Sequence, residues 1–113
     1  MKHLLIILIS ILLLSSPLIG DNHKGETLYG WGNTLPYVWK SVGSKKLQPK
    51  YEGDVENGVP NGLGVLISTN GWKYFGSWMN GEIWNGTEYD KDGNIIYRWV
   101  EGKRKYHNLY KSY

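Results

Sequence analysis

The sequence predicts an all-β protein: an antiparallel meander of stacked β-hairpins forming a single elongated sheet, with a short C-terminal helical cap. Three observations carry that prediction. Tyr51, Tyr74 and Tyr97 recur every 23 residues, each opening a similar phrase, and a fixed period of that size marks an array of stacked units. Most of the 15 glycines fall between Gly53 and Gly102, a density that helices do not tolerate. Between the glycines, apolar residues alternate. Tyr51, Gly53 and Val55 share one side of an extended chain, as do Trp72, Tyr74, Gly76 and Trp78, and period two is the mark of a strand.

The first segment precedes the array. Lys2 and His3 stand before the apolar run Leu4–Leu14, broken only by Ser10 and stopped by Ser15-Ser16-Pro17. That pattern predicts a signal peptide over residues 1–20 and an exported chain, periplasmic or extracellular. The run is shorter than the ~20 apolar residues a bilayer-spanning helix needs, and an uncleaved membrane anchor is the alternative. The chain has no cysteine, so neither a disulfide framework nor a thioether lipid anchor is available to it.

Residues 21–48 are expected to cover the sheet. Leu63, Val65, Ile67 and Phe75 fall on the side opposite Trp72, Tyr74 and Trp78, so both faces are partly apolar and one needs a lid. Leu35, Tyr37, Val38, Trp39 and Val42 are expected to pack on the Leu63–Phe75 side.

The array itself is expected over residues 49–102, with strands near 50–56, 63–69, 72–79, 86–90 and 95–101. Turn signals separate them at Asn57-Gly58, Pro60-Asn61-Gly62, Asn70-Gly71, Asn80-Gly81, Asn85-Gly86 and Asp92-Gly93; glycine and asparagine accept the positive φ that tight hairpins require. Gly53, Gly64 and Gly76 lie within strands, where glycine weakens a sheet unless something approaches closely. Each is expected to leave a slot for an aromatic ring from a neighbouring strand. Beyond the array, residues 103–113 form a basic and aromatic tail. Tyr106, Leu109, Tyr110 and Tyr113 follow helical spacing and predict the capping helix.

The run Tyr51-Glu-Gly53, Gly58, Gly62, Gly64, Gly71, Tyr74-x-Gly76-x-Trp78 and Gly81 resembles the MORN repeat, the membrane occupation and recognition nexus motif. The second unit departs from it: its loop is one residue shorter, with Trp84 where Gly62 stood and Gly86 answering Gly64. The third unit is a fragment with Trp99 in place of the glycine. The resemblance implies hairpins stacked into one sheet and a role in protein interaction or at membrane-proximal positions. Enzymatic activity in that family comes from a separate attached domain, for which this chain has no room.

No catalytic constellation is legible. His23 and His107 lie outside any recognisable motif, and Asp90-Lys91-Asp92-Gly93-Asn94 lacks the later glutamate of a calcium loop. No metal, cofactor or enzymatic activity is therefore expected. The formal net charge of +3 is modest and the basic residues are scattered apart from Lys103-Arg104-Lys105, which gives no nucleic-acid footprint.

The chemistry-bearing candidates are of another kind. Trp72, Tyr74, Trp78 and Trp84 form an aromatic stripe that is either packed on glycines or an exposed binding face. Glu88 stands at the position of Leu66 on that face and is expected to pair with Arg98 or Lys73, or to mark a polar site. Lys103, Arg104 and Lys105 are candidates for weak contact with an anionic lipid surface. The reading that follows is an exported, non-catalytic binding or scaffold module with a protein or membrane-proximal partner; binding of a cell-envelope glycan through the aromatic face is the alternative.

Overall fold

The computed structural model describes residues 23–106; residues 1–22, with the expected signal peptide, and residues 107–113, with most of the expected capping helix, lie outside them. Eight strands follow in sequence: β1 (His23–Trp31), β2 (Val38–Lys40), β3 (Lys50–Glu56), β4 (Val59–Ile67), β5 (Lys73–Met79), β6 (Glu82–Tyr89), β7 (Ile95–Val100) and β8 (Lys103–Tyr106). They form one open sheet in the order β2-β1-β3-β4-β5-β6-β7-β8, every neighbouring pair antiparallel. The fold class is the one the glycine pattern predicts. Among the described residues there is no helix: Lys103–Tyr106, placed in the cap by the spacing of Tyr106, is a strand that extends the sheet.

Three two-residue turns set the hairpins. Asn57-Gly58 joins β3 to β4, Asn80-Gly81 joins β5 to β6 and Glu101-Gly102 joins β7 to β8, and all six residues have positive φ, the type I′ geometry that matches the twist of the strands it joins. At the opposite end, wider turns link successive hairpins, closed by the bonds Ser68 N–H to Trp72 O at 2.9 Å and Asp90 N–H to Asn94 O at 2.8 Å.

Two expected turns are not turns. Pro60-Asn61-Gly62 lies inside β4 and Asn85-Gly86 inside β6, where the register shifts against Gly53–Val55 and Gly76–Trp78. These are bulges, which insert residues into one strand and are stabilised by the same residue types as turns. A side chain from the facing strand fastens each one. Asp54 Oδ2 accepts the Leu63 N–H at 3.0 Å, and Ser77 Oγ accepts the Asn85 N–H at 3.0 Å.

The core lies on one face only. Leu28, Tyr51, Val55, Leu66, Tyr74, Trp78 and Ile83 are buried there, and Leu35, Tyr37 and Trp39 pack over them. The Trp39 ring stands edge-on to Trp78 at 5.7 Å and to Tyr51 at 5.9 Å, favoured arrangements for aromatic pairs. Its indole N–H reaches across to Gly81 O at 3.0 Å. β1 stays in the sheet beside β3, and β2 with the loop before it brings Leu35, Tyr37 and Trp39 back over β3–β5. This reverses the expected assignment of the cover: Leu35, Tyr37 and Trp39 close the glycine-bearing aromatic face, whereas Val38 and Val42 are exposed and no described residue covers Leu63 and Phe75. The physical reason is a matter of volume. Tyr51 and Tyr74 fill the slots at the strand glycines of the aromatic face, and Tyr37 on Gly30 and Trp39 beside Gly81 pack over that ring layer.

Candidate functional site

The first two hairpins each bury a tyrosine in the same way. The Tyr51 ring lies against Gly64, where a Cβ would collide with its Cε1 and Cζ, and its hydroxyl donates to Asp54 O at 2.6 Å. Tyr74 lies against Gly76 and Gly86, and its hydroxyl donates to Ser77 O at 2.8 Å. Burial raises both phenol pKa values far above the ordinary 10.0; the Asp54 carboxylate adds to the rise for Tyr51, and a backbone hydrogen bond with Trp84 opposes it for Tyr74.

The aromatic stripe is thus largely interior. Tyr74 and Trp78 are buried, and the Trp78 indole N–H bonds Gly64 O at 3.2 Å. Trp72 and Trp84 are half-buried, Trp84 with its ring 3.3 Å from the position of a Cβ on Gly102. These tryptophans do not form the exposed row that sugar stacking along the sheet requires.

Glu88 takes neither expected partner. Directly opposite Tyr74 in the sheet and only 2% exposed, its carboxylate accepts the Trp99 indole N–H at 2.9 Å and the Arg104 guanidinium at 2.8 Å. Arg104 in turn lies 3.6 Å from the centre of the Tyr97 ring, a cation–π contact. Arg98 sits across the sheet from Thr87 and Lys105, on the other face. Of the basic trio, Lys103 and Lys105 share that other face by strand alternation, and Arg104 is engaged with Glu88. Asp90 likewise serves its own turn: Oδ1 accepts the N–H groups of Asp92 and Asn94, each at 2.9 Å. These bonds, chiefly those from Asn94, lower its pKa.

The face opposite the core, which no described residue covers, carries residues that the sequence pattern assigns to packing. Glu52, Val65, Phe75, Thr87, Arg98 and Lys105 are successive cross-strand neighbours, and Leu63, Phe75 and Met79 are exposed at 60%, 54% and 45%. Lys73, Arg98 and Lys105 are exposed around them, and Lys50 pairs with Glu52 at 3.2 Å. An apolar centre with a polar rim is the composition of an interaction surface.

A second feature is concave. A cleft of about 490 Å³ opens between the β1–β2 loop and the sheet, with Trp72, Trp99, Glu88 and Arg104 among its walls. No protein-family model, curated protein or solved structure matches the chain.

Proposed function

We propose that this chain is an exported, non-catalytic binding module built from MORN-like hairpins, and that it docks an acidic protein surface on the open face of its sheet. The observation that carries this reading is the exposure of Leu63, Phe75 and Met79 on a face that nothing in the described residues covers. Apolar groups surrounded by charge gain from desolvation at the centre while the rim steers the partner. On this face Glu52, Asp54 and Glu56 are engaged with Lys50, the Leu63 N–H and Asn61, whereas Lys73, Arg98, Lys103 and Lys105 gather on β5, β7 and β8, where Glu82 is the acidic neighbour; that end of the face favours an acidic partner. The recurring tyrosine-on-glycine contacts support the MORN-like reading, and the apolar run at residues 4–14 supports export.

The test uses the full-length chain and its Leu63→Asp/Phe75→Asp variant as baits in crosslinking from the source cells. Capture of one acidic protein by the wild type, weakened by salt and lost in the folded variant, supports the reading. Equal capture by both baits overturns it. So does sedimentation with phosphatidylserine vesicles that the variant abolishes in the absence of any protein partner, an outcome that would make lipid the occupant.

A further inference from the structure

From the cleft, on the opposite side of the sheet from the proposed docking face, we infer a separate ligand site: it holds one ring of a neutral saccharide between Trp72 and Trp99, over the Glu88–Arg104 pair. The inference begins with a substitution within the fold. Leu66 and Glu88 are the cross-strand neighbours of Tyr74 on its two sides, on the same face, and both are buried. A second leucine would fill the Glu88 position at no electrostatic cost. A carboxylate there must shed its hydration, a cost that its partners only partly offset. Three side chains hold it: Trp99 donates to Oε1, Arg104 grips both oxygens and the Tyr97 ring backs the guanidinium. For packing alone, an apolar side chain is the simpler solution.

The walls suit a sugar. The cleft volume of about 490 Å³ lies within the range of small-molecule sites, which combine ring surfaces with a few convergent polar groups. Trp72, Trp99 and Tyr37 supply ring surface, and Asn70 supplies an amide at the rim. The Arg104 side chain is 47% exposed. It uses its Nε and one Nη2 hydrogen on Glu88, and a guanidinium has five N–H donors in all. The remaining donors have no hydrogen-bond partner among the described residues and are left for hydroxyl oxygens. Because Glu88 already neutralises Arg104, the floor carries no net charge to attract a bare anion. Aromatic surface beside a neutral array of donors and acceptors matches the apolar C–H face and hydroxyl edge of an uncharged sugar ring.

Titration of the full-length protein with cellotriose, maltotriose and N,N′,N″-triacetylchitotriose, followed by tryptophan fluorescence and calorimetry, tests the inference. At least one trisaccharide is expected to bind and to shift the emission. The Glu88→Leu/Arg104→Leu variant replaces the pair by apolar groups, which is commonly neutral or stabilising for a fold, and it is expected to keep the unfolding midpoint while losing at least about tenfold in affinity. Trp72→Ala provides an independent check with the floor intact and is expected to weaken binding as well, whereas Phe75→Ser, on the opposite face, leaves it unchanged. Absence of binding by all three sugars overturns the inference, as does undiminished binding in both cleft variants. Displacement of the sugar by inorganic sulfate at equal concentration would make this an anion site and overturns it too.

Discussion

The Tyr51 ring occupies the space that a side chain at Gly64 would fill, and its hydroxyl hydrogen goes to Asp54 O at 2.6 Å. Local sequence and tertiary packing meet in this one contact: the glycine is required by a ring in the adjacent strand, and the ring is fixed by a carbonyl three residues further along its own strand. Gly64→Val is expected to destabilise the fold by roughly 1–3 kcal/mol, the usual range for an overpacked core. The midpoint of a denaturant titration measures it. Gly93→Ala has open space for its Cβ and is expected to cost about 1 kcal/mol through its positive φ alone.

Alkaline pH tests the burial of the tyrosines directly. Tyr51 and Tyr74 have pKa values raised above the ordinary 10.0 in the folded chain, so above pH 10 the unfolded state loses protons that the native state keeps. Stability is therefore fully retained below pH 10 and falls as the pH rises further, by about 1.4 kcal/mol per pH unit for each tyrosine. Chemical denaturation at stepped pH should show that slope. A flat profile from pH 10 upward would contradict the buried, hydrogen-bonded phenols.

Glu101 is the unusual residue among the three hairpin turns. It adopts φ 48° where Asn57 and Asn80 adopt 54° and 49°, and a left-handed backbone is strained for a long side chain but tolerated by asparagine. Glu101→Asn is expected to raise stability by about 0.5–1 kcal/mol. Thermal unfolding should register it as a higher midpoint.

The cover should be indispensable, since Trp39 touches Tyr51 and Trp78 and bonds Gly81 O. Trp39→Ala is expected to cost about 2–4 kcal/mol, toward the lower part of the range for large aromatic truncations because the ring is half-buried. Deletion of residues 21–48 removes the lid altogether and is expected to give aggregation on refolding, visible by light scattering.

Much of this architecture is legible in the residues themselves. Period-two alternation and the Asn-Gly pairs locate β3, β5 and the turns at Asn57, Asn70, Asn80 and Asp92. The bulges are not legible, because Asn61 and Asn85 carry turn chemistry for another purpose: their Oδ1 atoms accept the N–H of Asn80 at 2.9 Å and of Glu101 at 2.7 Å, in the next hairpin's turn. β8 escapes notice because Glu101 is a poor marker of a turn. Alternation also tells which residues share a face but not which face is covered, and for this reason the lid was assigned to the wrong side. Glu88 was recognisable as anomalous. Its partner was not, because Arg104 reaches it from across β7, over a distance in sequence that no local pattern encodes.

The asparagine contacts give the sheet a direction. Asn61 holds the turn that follows it and Asn85 holds the one after that, so each hairpin grips its successor. An assembly of this kind can be lengthened at one end by a rule: a new hairpin is accepted where the preceding bulge offers a free asparagine. The turn that Asn61 holds is gripped a second time, by the Trp39 indole N–H on Gly81 O. Among the described residues the array ends in β8, where Arg104 is taken up by Glu88 while Lys103 and Lys105 leave two positive charges on the edge strand and so discourage a second copy from joining it there.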